Sequence, residues 1–156
     1  MTALKSLFFL ILVPGLLIGY FPYSISLTDI KLFNPGIFSY LAFLLWIIGW
    51  VAMLWCFWDF LIKGRGTPAP IDPPKELVAV GLYRYVRNPM YVAGIITLFG
   101  WMLWSPSLPL IVAPFVFFTA AHLFVTLYEE PILKKKFGVV YDEYLKQVPR
   151  WIPKFK

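Results

Sequence analysis

The chain has 156 residues, of which 60% are hydrophobic, 20% aromatic and 14% charged. Soluble domains are roughly a quarter charged, so the composition excludes an ordinary soluble protein and points to the membrane class. The formal net charge of +6 bears on topology and lipid headgroups before nucleic acid, and the single Cys56 excludes a disulfide framework or a cysteine-based zinc cluster.

The first apolar segment runs from Leu7 to Tyr20. Lys5 precedes it, as in a signal peptide. Phe21, Pro22 and Tyr23 follow where a small-residue cleavage site belongs, so an uncleaved helix is expected. Pro14 predicts a kink, and Gly15 with Gly19 forms a GxxxG pair that suits close packing of a neighbour. The second segment, Gly36 to Ile62, exceeds the ~20 residues a bilayer requires, which predicts tilt or protrusion. Asp59 and Lys63 at its end have the spacing of a structural i, i+4 ion pair.

The third segment, Met90 to Trp104, covers roughly 22 Å of a ~30 Å hydrocarbon core. Ser105, Pro106, Ser107 and Pro109 turn the chain into the fourth, Leu108 to Tyr128, so these two form a tight helical hairpin. Gly138 breaks a lysine-rich extension. Val139 to Val148 then has the pattern of a short amphipathic helix with Val140, Tyr144 and Val148 on one face. Pro149, Trp151 and Pro153 complete it as a rigid aromatic strap. The pattern suits a helix lying on the bilayer and equally a cover over a site.

Thirteen of the fourteen Lys and Arg residues fall before the first helix, between the second and third, or after the fourth; Lys31 alone falls on the other side. By the positive-inside rule this predicts an all-α, multi-pass membrane protein with about four transmembrane helices and both termini cytoplasmic. A prokaryotic cytoplasmic membrane is the expected location. The 63–89 loop and the tail then share one face, and a site belongs there.

Chemistry concentrates in two stretches. In "GLYRYVRNPMYVAG" (residues 81–94), Asn88 is a favoured N-cap and Pro89 a favoured first helical residue. Free N–H groups at that helix start, with Arg84 and Arg87 beside them, make an anion site or a pair of lipid-phosphate anchors. Gly81 and Gly94 permit close backbone approach. The second stretch is Glu129-Glu130-Pro131, read as the end of the fourth helix. Carboxylates there oppose the helix dipole and need partners, for which Arg84, Arg87 and Lys134 are candidates. His122, seven residues before Glu129, is expected on the same helix face; without a second histidine it points to no metal site.

Together, "GLYRYVRNPMYVAG", a helical hairpin and "EEPILKKKFGVVYDEYLKQVPRWIP" resemble the isoprenylcysteine carboxyl methyltransferase family of integral membrane enzymes. The resemblance spans roughly Pro68 to Pro153. The family's glycine-aromatic pair, Val-Arg-His-Pro and tyrosine correspond to Gly81, Tyr83, Val86, Arg87, Pro89 and Tyr91, with Asn88 in place of the histidine. Asn88 keeps hydrogen-bonding capacity but cannot titrate. The glutamate pair corresponds to Glu129 and Glu130, and the tail to Phe137, Gly138, Tyr141, Tyr144 and Trp151.

The resemblance implies an S-adenosylmethionine site enclosed at the cytoplasmic face, with a lipophilic or prenylated substrate entering from the bilayer and no nucleic acid partner. It divides one integrated domain into two N-terminal transmembrane helices (1–62) and a methyltransferase core (63–156), capped by the C-terminal interfacial helix. It implies catalytic roles for Arg87, Glu129 and Glu130. Cofactor contacts fall to Gly81, Tyr83, Val86, Arg87, Asn88, Pro89, Tyr91, Gly94, His122, Glu129, Tyr141 and Tyr144, and no metal is implied. O-methylation of a prenylated cysteine-like carboxylate is the first expectation, N-methylation of a phospholipid amine the alternative. A sterol-type reductase, a four-helix transporter and a non-catalytic membrane protein are the remaining readings; the transporter lacks an ionisable residue in the first helix.

Overall fold

The computed structural model describes residues 8, 10–28, 30–64 and 75–154. Lys5, Leu7 and Pro68, named above, lie outside the described residues. Three helices are long and apolar enough to cross a membrane: α1 (Ile11–Thr28), α2 (Gly36–Gly64) and α4 (Leu108–Phe137). Between the last two lies the shorter apolar α3 (Pro89–Trp104), and α5 (Val139–Gln147) follows the fourth. There is no strand among the described residues. An all-α membrane protein with a hairpin between α3 and α4 is therefore observed.

The helix α1 runs past Tyr20 to Thr28, further than its sequence suggests. Wide π turns over Ile11–Tyr20 accommodate Pro14. The indole Nε1 of Trp101 donates to the Ile18 carbonyl at 2.9 Å, which ties α1 to α3. Of the GxxxG pair, Gly19 faces Trp50 of α2, whereas the nearest neighbour of Gly15 is the carbonyl of Leu10 in its own helix.

The tightest helix contact lies elsewhere. On α2, a Cβ at Gly49 would strike the Thr97 hydroxyl and lie 2.9 Å from the Ala93 carbonyl; on α3, one at Gly100 would lie 2.6 Å from the Trp46 ring. Small residues let the two backbones approach, as lipid-embedded helices require. Beside this seam sits an apolar core of Ile18, Met53, Phe57, Ala93 and Leu98. At the hairpin end, Leu32 N–H donates to Pro106 O at 2.9 Å, holding the loop before α2 against the turn between α3 and α4.

Two features of α4 correct the sequence reading. The helix does not end at Glu129-Glu130-Pro131 but continues to Phe137, so the carboxylates lie within it and Lys134, Lys135 and Lys136 occupy its last turn. Gly138, at φ 55°, makes the break that follows. A π turn spans Val125–Glu129, with Glu130 N–H bonded to Val125 O. Its causes are local. The Thr126 hydroxyl donates to the His122 carbonyl at 2.7 Å, and Pro131 offers no N–H to the Leu127 carbonyl.

Candidate functional site

The motif loop enters α3 through a 3-10 turn, Gly81–Arg84. Gly81 has φ 54°, and a Cβ there would collide with the Asp59 carboxylate at the end of α2. Asp59 and Lys63 form no ion pair; Asp59 backs onto Gly81 instead. Pro89 is the first residue of α3 as expected, but Asn88 makes no side-chain cap. Its Nδ2 donates to the Arg150 carbonyl at 3.1 Å, while Arg87 N–H donates to Pro149 O at 2.9 Å and Lys154 N–H to Tyr85 O at 3.0 Å. The C-terminal strap is thus laced along the motif loop.

At the centre lies Glu130. Arg87 Nη1 donates to its Oε1 at 2.9 Å; Arg150 Nε donates to the same oxygen at 2.7 Å and Nη2 to Oε2 at 2.9 Å. The Arg87 and Glu130 side chains are 12% and 16% exposed. Burying a carboxylate is costly unless cations and hydrogen bonds compensate it, and two guanidinium groups do so here. Neighbouring Glu129 meets no cation among the described residues and accepts a hydrogen bond from Tyr91 Oη at 3.1 Å. Lys134, a candidate partner from sequence, pairs with Asp142 at 3.1 Å. Arg84 is exposed and takes no part.

The helix α5 covers this cluster. Tyr141 and Val148 are buried and Tyr144 half-buried, whereas Val140, expected on the inner face, is exposed. Tyr144 Oη donates to the Tyr83 carbonyl at 2.7 Å. Burial pushes the Tyr141 phenol up to about 12, with the Glu130 charge adding to the shift and Arg87 opposing it. Burial also raises Tyr83 and Tyr144. All three therefore act as neutral hydrogen-bonding groups near neutral pH. The Arg150 guanidinium is held further toward its charged form by its bonds to Glu130.

A cavity of about 490 Å³ opens beneath the cluster. Its polar end brings together Tyr83, Arg87, Asn88, Tyr91, Glu129, Glu130, Tyr141 and Tyr144 from the sequence-derived set. The set's other members lie outside the lining. Gly81 and Pro89 shape the loop, Val86 is buried, and Gly94 admits the Phe117 ring, which a Cβ would approach to 3.1 Å. A π turn lies between His122 and Glu129, and the Nδ1 of His122 accepts a hydrogen bond from Trp151 Nε1 at 3.1 Å. Sequence reasoning missed Arg150. No local signal marks it, because it stands among the tail's other basic residues.

A bundle of apolar helices with a charge-compensated chamber at the head of an apolar cavity defines an all-α membrane protein with a buried polar site. Residues 37–139, more than half of the chain, match the phospholipid methyltransferase family, and the protein belongs to that family of integral membrane methyltransferases. No curated protein matches the chain.

Proposed function

We propose that this protein transfers a methyl group from S-adenosylmethionine to a lipid acceptor at the cytoplasmic side of the membrane. The observation that carries this reading is the unequal treatment of two adjacent carboxylates. Glu130 is neutralised twice, by Arg87 and Arg150, while Glu129 keeps only the Tyr91 phenol among the described residues. A carboxylate on an apolar wall without a cation suits a cationic ligand.

The residues fit the cofactor. Glu129 matches its positive groups. Arg87 Nε, buried and without a partner among the described residues, matches its carboxylate, together with Asn88. The rings of Tyr141 and Tyr144 offer faces to a sulfonium or a base. When bound, S-adenosylmethionine supplies an electrophilic methyl group. The protein's part is to align acceptor and donor and to keep water out, which the strap and α5 do from above.

Two acceptor classes suit such a site. A prenylated cysteine-like carboxylate is already ionised at neutral pH and needs no base. A phospholipid amine must first lose a proton, and Glu129 is placed on the cavity wall to accept it at a carboxylate oxygen. Both guanidinium groups bond Glu130, and the cofactor's carboxylate would take the remaining Arg87 Nε, so an acceptor carboxylate would meet Glu129 with no cation left to face it, which favours the amine. Protein reconstituted in vesicles with methyl-labelled S-adenosylmethionine tests this directly. Label in N-methylated phosphatidylethanolamine is the expected result. Base-labile label in S-farnesylcysteine would transfer the assignment to the carboxylate, and no transfer to either acceptor would overturn the reading.

A further inference from the structure

The cover has an outer face with a composition of its own. On α5 the exposed residues are Val139, Val140, Glu143, Lys146 and Gln147, a single stripe at helical spacing, while Tyr141 and Val148 are buried. The stripe is graded. It starts with two valines, 73% and 61% exposed, and ends polar. Just before it, in the last turn of α4, stand Lys135 and Lys136. Both are exposed and without a carboxylate partner among the described residues, whereas Lys134 is held by Asp142.

The length of α4 accounts for their position. Its 30 residues make about 45 Å of helix, against a hydrocarbon core of ~30 Å and a bilayer of ~40–45 Å with its headgroups. The final turn therefore stands among headgroups. Lys135 and Lys136 lie one turn beyond the exposed Pro131 and Ile132, so their stems continue the lipid-facing surface and their ammonium groups reach phosphate depth. Leu133 and Phe137, on the other face, line the cavity. Gly138 then turns the chain at φ 55°, with open space where its Cβ would lie, which leaves room for a pivot.

We propose that Lys135, Lys136, Val139 and Val140 form a docking site for anionic lipid headgroups, and that docking there holds α5 down over the chamber. Charge selects the occupant: two uncompensated cations at headgroup depth meet phosphates, and the adjoining valines enter the interface with no polar group to desolvate. One helix then reads the membrane with its outer face and closes the site with Tyr141 on its inner face. The anionic fraction of the bilayer thereby sets how tightly the chamber is covered.

The test follows hydrogen exchange of the α5 amides in full-length protein, reconstituted in bilayers of phosphatidylcholine alone or mixed with phosphatidylglycerol. Phosphatidylglycerol is expected to slow exchange by about 10–30-fold, the scale of two lysines at an anionic surface, and high salt to shrink the difference. The double variant Lys135→Gln, Lys136→Gln meets the same surface pH and should lose most of the slowing. Its exchange in pure phosphatidylcholine should match that of the unaltered protein, which shows that it is folded. No slowing in the unaltered protein, or equal slowing in the double variant, overturns the proposal. Slowing by inorganic phosphate in the neutral bilayer would assign the lysines to a soluble anion and overturn the lipid. The readout contains neither cofactor nor methyl acceptor, so its outcome is independent of the methyltransferase reading.

Discussion

The indole Nε1–H of Trp151 donates to Nδ1 of His122 at 3.1 Å, which joins the C-terminal strap to the middle of a membrane-crossing helix. The bond requires His122 to present a bare Nδ1, so any proton on the neutral ring sits at Nε2. Phe118 and Tyr91 flank the indole edge-on, with centroids 5.2 and 6.3 Å away. His122, a candidate cofactor contact in the sequence, is an anchor point of the cover.

Replacing Trp151 by Phe keeps much of the packing and removes the donor. The expected cost is about 1 kcal/mol, that of one buried hydrogen bond. The effect should appear as faster release of S-adenosylhomocysteine, because the bond holds the strap closed. Stopped-flow dissociation measures this; an unchanged release rate would detach the strap from ligand retention.

Glu129 and Glu130 should respond oppositely to the same change. Glu130→Gln leaves two guanidinium groups around a neutral amide and should cost roughly 3–5 kcal/mol, toward the lower end because Arg150 is 33% exposed. Glu129→Gln removes a charge with no cationic partner among the described residues. It should leave thermal stability unchanged or raised, while methyl transfer falls by about 10²–10⁴ if Glu129 takes the acceptor's proton. Melting temperatures in detergent, measured beside turnover, separate the two.

Gly81→Ala combines two penalties. The backbone at φ 54° disfavours a side chain, and the new methyl would press on the Asp59 carboxylate. A loss of roughly 1–3 kcal/mol is expected from the backbone alone. Asp59→Ala in the same chain should recover the steric part only. Full recovery would show that the collision, and not the dihedral, dominates.

Alkaline pH should destabilise the cover over the site. The Tyr141 phenol is raised from 10.0 to about 12 by burial, so the folded chain holds a proton that the unfolded chain releases. Its contribution is complete below pH 10 and is lost as pH rises toward 12. Tyr83 and Tyr144 shift in the same direction. Thermal unfolding across this range should show falling stability, and Tyr141→Phe should flatten the slope.

Much of this was legible in sequence because it is written in local terms. Ser105-Pro106-Ser107 announces a turn, Pro89 a helix start, and Arg87 with the glutamate pair announces buried charge. What stayed hidden depends on partners distant in the chain. Gly49 and Gly100 look like any glycines in an apolar helix until Thr97 and Trp46 are seen against them. Arg150 reads as one more basic tail residue until the strap folds back. The π turn at Val125–Glu129 arises from a hydroxyl and a proline, each with many outcomes.

The double clasp on Glu130 also orders assembly in time. Arg87 precedes α4 in the chain, so it can meet Glu130 as soon as the hairpin has formed. Arg150 arrives only after α5 has been made and turned back. Until it docks, two carboxylates face one guanidinium, and the chamber carries a net negative charge beside apolar walls. The nascent protein is therefore electrically unfinished until Arg150 docks.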